Sequence, residues 1–148
     1  AGMFAARGFN IDSLVVGRTE DPTISRMVIV TSGDQATLEQ IRKQLGKIVT
    51  VVKVRNYSEE ECVERDLLLI QIHCPSEKRT ELSQLAGVFR GTVVDVGPRS
   101  VTVQLTGPEK KIEAFIDLAR PYGILQMART GVIAIPRAQQ IKEPSVSE

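Results

Sequence analysis

Few side chains in this sequence can make or break bonds. The 148 residues include one histidine, His73, two cysteines, Cys62 and Cys74, and one consecutive run of carboxylates, Glu59, Glu60 and Glu61. His73 and Cys74 are neighbours in a segment that reads as a strand, so their side chains point to opposite faces and are poorly placed to share a metal. The same alternation gives His73 a structural or solvent-facing role. Cys62 and Cys74 have no paired ligand spacing and read as small core or linker residues. The glutamate run sits in a polar stretch and reads as a solvated spacer rather than an acid/base cluster. No G-x-G-x-x-G, Walker loop, H-E-x-x-H or G-x-S-x-G occurs, which removes the common nucleotide, zinc and acyl-transfer motifs. No catalytic residue and no metal ligand is assigned. One short feature does invite a ligand: Arg7-Gly8-Phe9-Asn10-Ile11, where a helix ends in glycine and an asparagine opens a strand. Exposed main-chain groups and an Asn amide can bind the carboxylate and ammonium of an amino acid, although a plain C-cap followed by a turn accounts for the same residues.

Composition narrows the classes further. The chain is 42% hydrophobic and 25% charged, with 19 Lys plus Arg against 18 Asp plus Glu and a net charge of +1. That describes an ordinary globular protein without the basic footprint of a nucleic-acid binder. Charge is balanced segment by segment: eight positive and eight negative groups in residues 1–63, nine and eight in 64–135, two and two in 136–148. There is no Trp, and only four Phe and two Tyr, so stacking platforms for single strands are absent too. No apolar run approaches the roughly 18 to 20 residues of a membrane helix. Two cysteines without a secretory h-region suit a reduced cytoplasmic setting.

The elements that would position these residues follow from periodicity. Residues 2–8 look like the last turns of a helix closed at Gly8. Residues 10–18 (NIDSLVVGR) and 23–31 (TISRMVIVT) form a predicted hairpin joined through Thr19, Glu20, Asp21 and Pro22. Asp34 is a plausible N-cap for a helix whose stripe is Leu38, Ile41, Leu45 and Ile48, and Val52 and Val54 alternate with Lys53 and Arg55 in a half-buried strand. The pattern restarts with a strand over residues 64–74. Pro75 and Ser76 open a helix carrying Leu82, Leu85, Ala86 and Phe89. A second hairpin, 92–96 and 101–106, turns at Gly97, Pro98 and Arg99. A T-x-x-E capping box, Thr106 and Glu109, with Pro108, starts a helix bearing Ile112, Phe115, Ile116 and Ala119. Residues 124–135 form a last strand region.

The second half therefore reads strand, helix, strand, strand, helix, strand, the split βαβ order of a ferredoxin-like domain. The first half reads the same without its first strand. The fold class is α+β, two ferredoxin-like βαββαβ domains in tandem: residues 1–56, a linker at 57–63, residues 64–135, and a polar tail at 136–148 expected to fray. In this topology the first strand lies inside the sheet, and its loss would leave backbone groups unpaired. The sequence thus predicts roughly 15 to 20 further residues upstream, a strand, a loop and the first helix turns.

Residues 4–27, FAARGFNIDSLVVGRTEDPTISRM, resemble the amino-terminal ACT domain of the acetohydroxyacid (acetolactate) synthase small, regulatory subunits. The likeness continues in LEQIRKQLGKIVTVVKV, VERDLLLIQI, FRGTVVDV, TVQLTG and ARTGVIAIPR, and so spans nearly the whole chain. The family's first strand and its Asn- and Gly-containing effector loop have no counterpart in these residues.

The resemblance implies a non-catalytic subunit that binds a large catalytic subunit, raises its activity and confers feedback inhibition by valine in branched-chain amino acid biosynthesis. It places thiamine diphosphate, magnesium and FAD on that partner, with no cofactor on this chain. It further implies a homodimer through side-by-side ACT domains, with effector sites at their interface. By position, Asn10 becomes the effector-contacting asparagine and Ile11 contributes main-chain contacts beside it. The charged hairpin then offers Arg18, Asp21 and Arg26 to the catalytic subunit. The competing expectations are a stand-alone ACT-type amino-acid sensor or ligand-responsive regulator, which needs a DNA-binding element not visible here, and a small ferredoxin-like enzyme, which lacks a catalytic constellation. Cytoplasm is the expected compartment, or plastid stroma if a transit peptide precedes these residues.

Overall fold

The computed structural model describes residues 11–32, 35–48, 57 and 61–138. The chain divides into two compact units, Ala1–Val63 with Ala134–Glu148, and Glu64–Ile133. In the first unit, β1 (Ile11–Arg18) and β2 (Ser25–Thr31) form an antiparallel hairpin followed by helix α1 (Gln35–Ile48). The hairpin's alternating Val and Ile residues suit a half-buried pleated surface. In α1, Ile41 is buried and Leu38 and Leu45 are half-buried, the stripe expected from their spacing. The predicted helix at residues 2–8, the Asp34 cap and the strand around Val52 and Val54 lie outside the described residues.

The second unit follows the ferredoxin-like order. Strand β3 (Cys62–His73) leads through a 3-10 turn (Ser76–Lys78) into α2 (Arg79–Val88), then to β4 (Thr92–Val96), β5 (Ser100–Gly107), α3 (Glu109–Ala119), a second 3-10 turn (Arg120–Tyr122) and β6 (Ile124–Arg129). The strands lie in the order β4-β5-β3-β6, and a short β7 (Ile133–Pro136) also pairs with β3. The ladders between these four strands are antiparallel, with Ile70 opposite Val103 on one side and Met127 on the other. One face of the sheet meets the two helices. Leu68, Ile70, Ile72, Cys74, Val101, Val103 and Leu105 come from the strands, and Leu82, Ala86, Ile112, Phe115, Ile116 and Ala119 from the helices. Each large side chain so buried contributes about 1.5–3 kcal/mol of transfer free energy. On the helix-free face, Gln126 Nε2 donates to Gln71 Oε1 (3.2 Å) and Gln71 Nε2 lies 3.5 Å from Thr102 Oγ1.

Four local expectations change. The capping box does not form. β5 continues through Gly107, so Thr106 stays in the strand and Pro108 (φ −61°, ψ 157°) becomes the N-cap of α3 without a side-chain cap bond. The carbonyl of Pro108 accepts the N–H groups of Lys111 (3.0 Å) and Ile112 (3.2 Å). The last strand region is two strands, broken where Gly131 takes φ +88°, a conformation that favours glycine. β3 begins at Cys62, so the last two residues assigned to the linker are strand, and β7 runs through Pro136, the first residue assigned to the tail. The turn after α2 relies on close approach: a Cβ at Gly91 would sit 3.0 Å from the Gln104 carbonyl oxygen and 3.3 Å from that of Ala86.

Candidate functional site

The ligand-inviting segment Arg7-Gly8-Phe9-Asn10 lies outside the described residues, and Ile11 opens β1. Ile11 pairs with Thr31 and Ser13 with Val30, so β1 carries an extra residue, Asp12, in a bulge beside the predicted effector position. A bulge redirects side chains and raises local twist, which is why such irregularities recur beside binding sites. Ser32 Oγ lies 3.4 Å from the Asp12 carboxylate across this end of the hairpin. Sequence reading missed the bulge. Polar Asp12 and Ser13 stand there between apolar Ile11 and Leu14, which does not distinguish a bulge from a regular strand.

The other end of the hairpin is a self-bonded turn. The Asp21 carboxylate accepts the backbone N–H of Thr23 (2.9 Å) and its hydroxyl (2.7 Å), while the Asp21 N–H donates to Thr19 Oγ1 (3.1 Å). The Ile24 N–H donates to the Asp21 carbonyl (3.0 Å), and the Thr19 N–H to that of Ile24 (3.3 Å). Asp21 thus shapes the loop from within. The Thr23 N–H, then its hydroxyl, hold the Asp21 carboxyl below its ordinary range. A depressed carboxylate adds stability above its unfolded pKa, and the contribution disappears as pH falls through the lower folded value. In an NMR titration Asp21 will titrate below an unstructured aspartate, and Thr23→Val, which keeps the N–H but removes the hydroxyl, will move it partway back. An unchanged titration in the variant disproves the assignment.

Arg18 and Arg26 do not converge. Arg18 pairs with Ser25 and Gly17 with Arg26, which puts the two guanidinium groups on opposite faces of the hairpin. Arg18 shares its face with Leu14, Val16 and Met27, which are 39%, 57% and 41% exposed, whereas Val15, Val28 and Val30 on the Arg26 face are half-buried. A partner lying flat on either face would meet one arginine, not both.

The second unit holds a charged group that sequence reading did not single out. Asp66, 1% exposed, is the only buried charged residue among the described ones. Its Oδ2 accepts Arg129 Nε (3.0 Å) and Nη2 (2.7 Å), and its Oδ1 lies 3.3 Å from Thr130 Oγ1. Arg129 Nη1 donates to Glu113 Oε1 (2.6 Å). Thr130 extends the β-ladder past β6 by other means: its N–H donates to the Leu67 carbonyl (3.0 Å) and its Oγ1 accepts the Leu67 N–H (3.0 Å). Burial lowers the Arg129 pKa, and the Glu113 and Asp66 carboxylates more than offset this, so it ends above its ordinary value and the side chain stays cationic.

Other polar groups serve the frame. Arg79 Nη2 donates to the Gly97 (3.1 Å) and Pro98 (3.3 Å) carbonyls, fixing the β4–β5 turn. Tyr122 donates its hydroxyl proton to Glu81, which lowers the Glu81 pKa and raises that of Tyr122. His73 is exposed while Cys74 is fully buried, and burial pushes the Cys74 thiol pKa up. Among the described residues no group of three or more His, Cys, Asp or Glu is arranged to hold a metal ion, and no helix is long and apolar enough to cross a membrane.

Comparison with known proteins matches both halves. Residues 1–53 fit the AHAS small subunit-like ACT domain, and residues 65–138 fit the family described as the small subunit of acetolactate synthase. A probable acetolactate synthase small subunit from Methanothermobacter thermautotrophicus is 46% identical over 141 residues, covering 95% of this chain and 84% of the relative. The acetolactate synthase small subunit of Haemophilus influenzae is 46% identical over 140 residues, 94% of this chain and 86% of that one. The crystal structure of the acetolactate synthase small subunit from Thermotoga maritima superposes with a TM-score of 0.78 at 43% identity, covering 92% of this chain and 85% of that one. Profiles over both halves, identity along almost the full length and a shared fold lead to one conclusion: this chain belongs to the acetolactate synthase small subunit family.

Proposed function

We propose that this chain is the non-catalytic regulatory subunit of an acetolactate synthase: it binds the catalytic subunit, raises its activity and makes it sensitive to feedback inhibition by valine. Family membership over both domains carries this reading. The catalytic partner supplies thiamine diphosphate, magnesium and FAD, and the complex works in the cytoplasm. Two copies pair through their ACT domains, and valine sits where Asn10 and the start of β1 meet the paired copy. An asparagine amide satisfies the polar end of free valine, and a small apolar pocket receives the isopropyl group with a gain of roughly 1.5–3 kcal/mol. One or two missing methyl groups change affinity by about 1–3 kcal/mol each, so related amino acids bind the same site more weakly. Inhibition requires the effector to prefer one conformation of the assembly, and its influence is limited to that difference in affinity.

The experiment reconstitutes the complete chain with its matching catalytic subunit and follows acetolactate formation with and without valine. The wild type stimulates turnover and valine reverses the gain. Asn10→Ala stimulates equally but needs about 10-fold or more valine, the loss expected of a hydrogen bond to a charged group. Equal valine sensitivity removes Asn10 from the site. In the same assay Arg18→Ala and Arg26→Ala, which lie on opposite hairpin faces, report which face the catalytic subunit covers, and full stimulation by both removes the hairpin from the contact. Absence of both association and stimulation returns the chain to the reading of a stand-alone amino-acid sensor.

A further inference from the structure

We propose that Asp12 of one copy and Arg18 of a second pair across two β1 strands joined edge to edge, and that these ion pairs fix the register of the junction. The inference rests on the proposed association of two copies through their ACT domains. β1 is the strand placed to receive a partner. In the second unit the first strand of the hairpin, β4, lies at one edge of the order β4-β5-β3-β6, and β1 holds the same place in the same βαββαβ order. Among the described residues β1 pairs with β2 alone. A sheet edge offers unpaired N–H and C=O groups to another strand unless it is short, bulged or charged. β4 is blunted in this way, with five residues, a register break between Val93 and Asp95, and Asp95 itself. β1 has eight residues, and its one break lies at its start, between Ile11 and Ser13. From Ser13 to Arg18 it is regular, and no charge interrupts Ser13 to Gly17.

Two copies related by a two-fold axis join such edges antiparallel, each residue opposite its counterpart about one central position. Charge selects that position. Asp12 and Arg18 are the only ionisable side chains of β1. They stand six residues apart, about 20 Å along an extended strand, too far to meet within one copy. Among the described residues neither has an ion-pair partner. A junction centred on Val15 sets Asp12 against the partner's Arg18 at both ends. Between them it sets Leu14 against the partner's Val16, covering side chains that are 39% and 57% exposed. Other registers lose these contacts. Centring on Val16 sets Asp12 against the partner's Glu20, a like charge, and centring on Leu14 sets it against the partner's Val16. Asp12, Leu14, Val16 and Arg18 are all exposed, while Ile11, Ser13 and Val15 between them are half-buried. Residues directly opposite in an antiparallel pair share a face, so a centre between two residues would set half-buried Val15 against exposed Leu14 or Val16.

The test follows the complete chain, without the catalytic subunit, by sedimentation velocity and native mass spectrometry at low salt. The wild type is expected to dimerise. Asp12→Arg and Arg18→Asp each set like charges against each other at both ends of the junction. Each raises the dimer dissociation constant about 10-fold or more, with the far-UV circular dichroism of the wild type retained. Mixed in equal amounts, the two variants form a heterodimer with a constant near that of the wild type, because every like pair becomes an opposite pair. Added salt weakens that heterodimer. Mixing cures neither a misfolded variant nor the loss of a contact with the catalytic subunit, so recovery reports the pairing itself. Variants that dimerise as the wild type does overturn the pairing and leave the dimer standing. A mixture that stays dissociated overturns it too. A wild type that remains monomeric refutes association through the ACT domains, and the pairing with it.

Discussion

Replacing Phe115 by alanine will lower the unfolding free energy of the second unit by about 3–5 kcal/mol, the cost of truncating a large aromatic side chain in a closed core. Phe115 is fully buried. It lies on the buried stripe of α3 with Ile112 and Ile116, in one core with the strand residues Ile70 and Val103, which pair with each other across the central ladder. Its ring meets Phe89 edge-on, centroids 5.3 Å apart at 72°, a geometry worth about 0.5–1.5 kcal/mol beyond area. Phe89 follows α2 directly, so this one contact ties both helices together over the sheet. A domain of this size has only about 5–15 kcal/mol in total, so the variant will lose its second-unit transition at ambient temperature or sit close to doing so. Phe115→Leu, which keeps most of the volume, will cost far less. The chain has no Trp, so the measurement is urea unfolding by far-UV circular dichroism, with amide exchange at β3 and β5 reporting the second unit. A loss under about 1 kcal/mol would mean that the core collapses around the gap and that Phe115 is not its centre.

What the sequence makes legible is what local periodicity encodes. Val101, Val103 and Leu105 alternate with polar neighbours, and Ile112, Phe115, Ile116 and Ala119 recur on one helical face. All seven are buried. With strand and helix order known, the antiparallel ferredoxin-like sheet follows from topology. Pairings distant in sequence are less visible. Asp66 and Arg129 are 63 positions apart, and although both fall in stretches that resemble the family, VERDLLLIQI and ARTGVIAIPR, the resemblance alone does not pair them. A signal was nevertheless present: Asp66 falls on the same alternation as Leu68, Ile70 and Ile72, and a carboxylate on the buried face of a strand requires a cationic or hydrogen-bonding partner. The capping box failed for a related reason. The spacing of Thr106 and Glu109 satisfies the motif, but pairing of β5 with β3 extends through Gly107, and ladder hydrogen bonds held Thr106 in the strand. In the first unit, the opposite orientation of Arg18 and Arg26 is readable once the hairpin register is fixed. The bulge at Asp12 is not, because a single extra residue leaves the composition of the strand unchanged.

Replacing Arg129 by methionine will cost about 3–5 kcal/mol, as large as the loss of the Phe115 ring, although Arg129 is a strand-end residue with 26% of its side chain exposed. The size of the effect comes from what remains. Asp66 keeps its carboxylate in a setting 1% accessible to water, and Thr130 supplies one hydroxyl proton, for which the Gly131 carbonyl (2.9 Å) competes with Asp66 (3.3 Å). Its Oδ2, now served by two guanidinium nitrogens, would have no donor. Removing both partners is a different matter. Asp66→Leu with Arg129→Met leaves no buried charge and adds apolar surface next to Leu68, so the double variant will recover most of the loss and fall near the wild type. In a double-mutant cycle the coupling energy will therefore approach the single-variant cost. Additive losses would show that Arg129 contributes through packing of its aliphatic stem rather than by neutralising Asp66. Near-wild-type stability in the double variant then assigns the single-variant loss to the stranded Asp66 carboxylate, because a core that stands equally well without either charge does not depend on the ion pair for its stability.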